Sequence, residues 1–167
     1  MALGHFSNKC AATILQEIST GWRKRRNSVW RWCVHSQIKH IAICYGEYIN
    51  GLSTTYVLRN GSEITKTYGT VQTNASSNHS LININLPEDE RIVAIDVTSS
   101  VKPDNYVSSL DLFTYRPSNG GTSKHYGPYG SRNKYVPGAN NTDRVIGIIS
   151  GFYGRSGTII DALGVYT

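Results

Sequence analysis

Helix-forming sequence is what this chain most lacks. Charged residues make up only 17 % of the 167, and no stretch pairs a charged face with an apolar stripe at helical spacing. Helical bundles are thereby excluded. No apolar run is long enough to cross a bilayer, and the opening from Met1 to Phe6 has neither the basic start nor the apolar core of a signal peptide. The expectation is a mature secreted form, with a cytoplasmic protein as the alternative. The five histidines, His5, His35, His40, His79 and His125, lie on separate segments with no paired spacing and no serine or cysteine elbow beside them. No metal, no cofactor and no catalytic residue is implied. Pro87, Glu88, Asp89 and Glu90 bunch their acids without the spaced oxygens and central glycine of a calcium loop, so they read as a solvated turn.

What is present is turn and strand chemistry. Sixteen glycines and eleven tyrosines accompany abundant Ser, Thr, Val and Ile, the composition of an all-β protein with many turns. The length suits one domain, residues 1–167, in which residues 1–37 are an atypical first part. That part concentrates the basic charge: Arg23, Lys24, Arg25, Arg26 and Arg31 supply five positive charges of a formal net of +6, among Trp22, Trp30 and Trp32. Two readings stay open. One is a patch for an anionic glycan, a mineral or matrix surface, or, less favoured, single-stranded nucleic acid. The other is an exposed turn followed by a strand from Ser28 to His35, with Trp30, Trp32 and Val34 facing the core.

Three cysteines, Cys10, Cys33 and Cys44, are disulfide candidates, and an odd number leaves one for a second chain or free if the compartment is oxidising. Pairing Cys10 with Cys33 would tie the first part to the body. Four Asn-X-Ser/Thr sequons begin at Asn60, Asn74, Asn78 and Asn140 in loop-like stretches and tilt the balance toward secretion.

One layout recurs in residues 46–52, 104–110 and 157–163: a turn residue, an aromatic or aliphatic at the third place, a β-branched residue at the fourth and leucine at the seventh. After the first copy the chain passes a turn at Asn60 and Gly61 and ends at Tyr68-Gly69, and after the second it passes Asn119, Gly120 and Gly121 and ends at Tyr126-Gly127. Recurrence at this period marks stacked or radially arranged units. In the last copy Gly157 opens a turn with bare N–H donors, and Asp161 sets acceptor oxygens just before the strand-like Ala162, Leu163, Val165 and Tyr166. A ligand of neighbouring hydroxyls, each donor and acceptor, suits this better than a phosphate, which Asp161 repels, or a metal, which wants more carboxylates. The turn points to a sugar.

With residues 154–166, the run Lys124-His125-Tyr126-Gly127-Pro128-Tyr129-Gly130, Arg91-Ile92-Val93-Ala94-Ile95 and Ile41-Ala42-Ile43-Cys44-Tyr45-Gly46, the chain resembles a jacalin-related lectin over about residues 38–167. A secreted animal member is expected. The resemblance implies a β-prism I fold, three four-stranded antiparallel Greek-key sheets around a pseudo-threefold axis, and no enzymatic activity. It implies a metal-independent site for mannose- or glucose-type sugars in which Asp161 accepts two hydroxyls and Thr158 and Ile159 donate backbone N–H groups beside Gly157. By the same resemblance Gly4 stands where the family brings a Gly-Gly run, and Lys102, Asn105 or Tyr106 lends a contact from the second unit. Mono- or oligosaccharides and glycoproteins are the implied partners, with avidity from a homo-oligomer such as a dimer. The fifth place holds Asn50 in the first copy and Ser108 in the second instead of aspartate, so one strong site is expected, with Gly46, Tyr48 and Asn50 as a possible weaker one.

Overall fold

The computed structural model describes residues 28–33, 37–72, 78–100, 106–131 and 140–167, and of 28–33 and 140 only the backbone. Gly4, Cys10, the basic residues Arg23, Lys24, Arg25 and Arg26, and Lys102 and Asn105 lie outside the described residues.

Eleven strands and no helix are described: β1 (Ser28–Cys33), β2 (Gln37–Tyr45), β3 (Ile49–Val57), β4 (Glu63–Gly69), β5 (Ser80–Asn85), β6 (Arg91–Ser100), β7 (Val107–Arg116), β8 (Thr122–Gly130), β9 (Asn140–Ile146), β10 (Gly151–Ser156) and β11 (Ile160–Tyr166). They form three antiparallel sheets, in the orders β4-β3-β2-β5, β8-β7-β6-β9 and β1-β10-β11. In the first two, three strands meander and the fourth returns beside the first, which is a Greek key. The third shows three of the four strands expected. Its β1 takes the place of the returning strand, and no described strand pairs with the other edge of β11.

The second strands of the three units, β3, β7 and β11, touch one another around a common axis. This explains the repeat in physical terms. Its fourth place is Ile49, Val107 and Ile160, and its seventh is Leu52, Leu110 and Leu163, and all six side chains are buried in one core. Burial of a side chain of this size is worth about 1.5–3 kcal/mol, so the periodic apolar places pin each strand to the axis. Tyr56, Phe152, Ile41 and Ile95 complete the interior at 0 % exposure.

Three expectations need correction. The second unit closes at Tyr129-Gly130 rather than Tyr126-Gly127, because the register of β7 with β8 shifts between Leu110 and Leu112, so that Leu110 faces Tyr129 as Leu52 faces Tyr68. Gly69 and Gly130 are thus the matching residues, both left-handed, with φ of 67° and 85°, and a Cβ on either would strike the carbonyl oxygen of Asn50 or Ser108. The acidic turn after Pro87 is not solvated throughout. Glu90 is buried at 1 % exposure, where Thr114 Oγ1 donates to it and Lys124 Nζ lies 3.8 Å away, while Asp89 pairs with Arg116 at 2.9 Å.

The strand expected from Ser28 to His35 is described over Ser28–Cys33, paired along its length with β10, and Val34 and His35 lie outside the described residues. Finally, Cys44 is not a bridging cysteine: its thiol is free and 1 % exposed, on β2 between Gly51 of β3 and Leu81 of β5. Neither flanking strand brings a thiol to it.

Candidate functional site

The first and third units join their first two strands by a short turn, and in the second the described ends of the connection are Ser100 and Tyr106. The first and third are closed alike, Gly46 N–H donating to Tyr48 C=O at 2.9 Å and Gly157 N–H to Ile159 C=O at 3.1 Å. In the second the equivalent bond runs from Ser100 N–H to Tyr106 C=O at 3.0 Å, across five intervening residues instead of one. Tyr106, from the group that the resemblance put near the sugar, meets Tyr48 edge-on with ring centroids 5.1 Å apart. The first turn thereby touches the entry to β7.

The strand pairing beside each turn is common to all three units and was not visible in the sequence. Cys44 faces Gly51 and Tyr45 faces Ile49, Thr98 faces Ser109 and Ser99 faces Val107, Arg155 faces Ala162 and Ser156 faces Ile160. The residue skipped on the second strand is Asn50, Ser108 and Asp161 in turn, the fifth place of the repeat. Each is the extra residue of a β-bulge, a device that re-aims a side chain out of the strand's alternation. The bulge also frees its carbonyl, which accepts from the residue after the matching glycine: Thr70 N–H to Asn50 at 2.9 Å and Ser131 N–H to Ser108 at 2.9 Å.

The three fifth places differ in chemistry. Ser108 is 4 % exposed and its hydroxyl donates to the Thr98 carbonyl at 3.0 Å, so it is turned into its own sheet. Asn50 is 9 % exposed, an amide with one acceptor oxygen. Asp161 is half-buried and carries the only carboxylate of the three. On its turn Gly157 and Thr158 are exposed, and among the described residues no bond takes up the N–H of Thr158 or Ile159. Donors and a carboxylate acceptor therefore stand within one five-residue loop.

A cleft of about 690 Å³ opens beside this loop, within the size range of small-molecule sites. It is lined by Gly46, Glu47, Tyr48 and Asn50 of the first turn, Asn78 and His79 before β5, Ser131, and Ile159 of the third turn. The structure thus brings the expected second-site residues together, and joins them to the third turn through Ile159.

The outer face of the second sheet holds residues that sequence reading passed over. Asp96 and Asp111 face each other on β6 and β7, both buried; Arg144 grips Asp96 with two bonds of 2.6 and 2.7 Å, and His125 Nε2 lies 2.7 Å from Asp111. Phe113 stacks on the His125 ring at 4.6 Å, with the Arg144 guanidinium 4.9 Å from its centroid. The five residues come from four strands, so no local spacing announces them. Arg144 neutralises the buried Asp96 carboxylate, and His125 gives Asp111 a hydrogen-bond partner.

Residues 20–166 match the profile of the family described as the Jacalin-like lectin domain. The jacalin-related lectin Calsepa of Calystegia sepium is 30 % identical over 159 residues, covering 93 % of this chain and 97 % of that protein. Among solved structures, Calsepa in complex with a bisected glycan superposes with a TM-score of 0.62 at 25 % identity, over 89 % of this chain and 95 % of that one. A mannose-binding lectin from champedak does so with a TM-score of 0.65 at 25 % identity, over 91 % and 97 %. These relatives are plant proteins, which lends no support to the expectation of an animal member.

Proposed function

The chain belongs to the jacalin-like lectin family, and on that premise we propose that it binds mannose- or glucose-type sugars through the turn 157–161. The observation that carries this is the bulge at Asp161, which takes its carboxylate out of the alternation of β11 within the same five-residue loop as the Thr158 and Ile159 N–H groups, to which no described residue bonds. In this reading Asp161 accepts two neighbouring hydroxyls by charge-assisted bonds, and Thr158 and Ile159 N–H donate to the ring or hydroxyl oxygens between them. A metal has no part in it. The cleft over Gly46, Tyr48 and Asn50 is a weaker second site, because an amide gives up the charge that strengthens such bonds. That the champedak relative is a mannose-binding lectin supports the choice of sugar class.

Affinity for one monosaccharide is proposed at about the millimolar scale, roughly −4 kcal/mol, with secretion and a homodimer supplying avidity on glycan-bearing surfaces. A glycan array read at low and at high salt tests the reading. Binding to mannose- or glucose-terminated glycans is expected at both ionic strengths. Signals confined to sulfated or sialylated glycans and lost in salt would move the activity to Arg23, Lys24, Arg25 and Arg26.

A further inference from the structure

The far end of the first unit carries a feature that sugar binding does not use. The hairpin between β3 and β4 is closed by Leu58 N–H to Ser62 C=O at 2.8 Å and Gly61 N–H to Leu58 C=O at 2.9 Å, with Gly61 left-handed at φ 81°. A three-residue loop ending in a left-handed glycine is a low-strain way to reverse a strand. Asn60, Gly61 and Ser62 are all exposed at its tip. Within it Asn60 Oδ1 accepts twice from the same residue, from Ser62 N–H at 3.0 Å and from Ser62 Oγ–H at 2.7 Å.

These three residues are an Asn-X-Ser sequon, and its hydroxyl is already on the amide that would be modified. Hydrogen bonds donated to the amide oxygen draw electron density from it and make the Nδ2 proton easier to lose, and an amide nitrogen must lose that proton to act as a nucleophile. Among the described residues no bond engages Asn60 Nδ2. The turn needs only three successive residues, so it is available to a chain still being made as well as to the folded protein.

The other described sequons are built differently. Ser80, the hydroxyl of the one at Asn78, is held in β5 opposite Tyr45, and Asn78 itself lines the cleft. Thr142, the hydroxyl of the one at Asn140, is on β9 and bonded to Thr98 Oγ1 at 2.8 Å. Among the described residues no bond joins Ser80 to Asn78, and the Thr142 hydroxyl is engaged by Thr98.

We propose that Asn60 is an N-linked glycosylation site. Its Nδ2 attacks the anomeric carbon of a lipid-diphosphate-linked oligosaccharide; the N–C bond forms as the C–O bond to the diphosphate breaks, the diphosphate leaves with the electron pair, and the amide proton passes to a base of the transferase. The position is compatible with binding. β3 has nine residues, which at about 3.3 Å each sets the tip roughly 30 Å from the turn at Gly46 to Tyr48, so a glycan on Asn60 leaves the binding end uncovered.

The test is secretion of the full chain from a eukaryotic host behind a cleavable signal, followed by enzymatic deglycosylation in heavy-oxygen water and peptide mapping. Conversion of Asn60 to labelled Asp is expected. Occupancy should vanish in Asn60→Gln and Ser62→Ala and persist or rise in Ser62→Thr, which keeps the hydroxyl. A secreted protein bare at Asn60, or Asn60 occupancy that survives Ser62→Ala, overturns the proposal. Binding of mannose is read separately, and Asn60→Gln leaves it unchanged, so failure of one reading does not carry the other with it.

Discussion

Asn50 and Asp161 stand at equivalent places, each the skipped residue of a bulge that opens its unit's second strand, and they differ by one charge. A bulge places a side chain; it does not decide what that side chain can hold. If position and charge together make the site, Asn50→Asp supplies the missing half in the first unit. Titration calorimetry with mannose should then show a stoichiometry rising from about one to about two. The added charge-assisted bonds are worth on the order of 1.5–3 kcal/mol, enough to bring a weak site into the measurable range. An unchanged stoichiometry in a folded variant would mean that Glu47, His79 or Ser131 denies the cleft to a sugar.

Cys44 gives a prediction about redox behaviour. Its thiol is 1 % exposed between two strands, so thiol reagents should reach it only when the prism opens. Labelling of native protein should leave the peptide carrying Cys44 unmodified, and denaturant should expose it. Cys44→Ala should lower stability by about 1 kcal/mol through lost packing and leave any disulfide-linked dimer band untouched. Loss of such a band in Cys44→Ala would show that the thiol is not confined to the core.

Tyrosine burial sets the alkaline limit. Burial and the neighbouring Tyr166 push the Tyr68 phenol up to about 12, and burial raises Tyr56 and Tyr129 as well. The unfolded chain releases these protons near pH 10, whereas the folded one keeps them. Stability present in full below about pH 10 is therefore lost as the pH rises toward 12. Alkaline unfolding followed by tyrosinate absorbance and circular dichroism should show the two signals moving together, and Tyr68→Phe should shift the midpoint upward. Tyr56→Phe should do the same, because burial raises this phenol against the opposing pull of the Phe152 backbone and the Thr54 side chain. A midpoint unmoved in both variants would show that these phenols do not set the alkaline limit.

The core was legible because it is periodic. Ile49, Val107 and Ile160, with Leu52, Leu110 and Leu163, repeat at fixed offsets since three identical strand positions face one axis. The turn glycines at 61, 120 and 121 were legible for a local reason too, each holding a left-handed φ. The bulges were not, because a skipped residue changes register without changing composition. Nor was the match of Gly130 to Gly69, which depends on a register shift that only the pairing of β7 with β8 reveals. Glu90 was misread as solvated for a similar reason: its partner Thr114 lies 24 residues on, in another strand. Local signals predict turns and faces; long-range pairing decides which polar groups end inside.

The site itself is tested most directly by Asp161→Asn, which should abolish neutral-sugar binding and leave the fold intact. A carboxylate accepting two sugar hydroxyls makes bonds roughly twice as strong as neutral ones, whereas the amide offers one oxygen and turns an N–H₂ toward a hydroxyl. The loss is on the order of 1.5–3 kcal/mol, and a ligand that starts near −4 kcal/mol then falls below detection. Folding has little reason to respond. Ile160 and Leu163, which anchor β11 to the axis, are untouched, and the first unit already accommodates asparagine at the same bulge. Calorimetric titration with mannose beside a thermal melt separates the outcomes: lost heat of binding with an unchanged melting temperature is expected. Sugar binding that persists in a folded Asp161→Asn protein would transfer the site to the cleft over Asn50, and the pair Asn50→Asp and Asp161→Asn would then have to trade places in the titration.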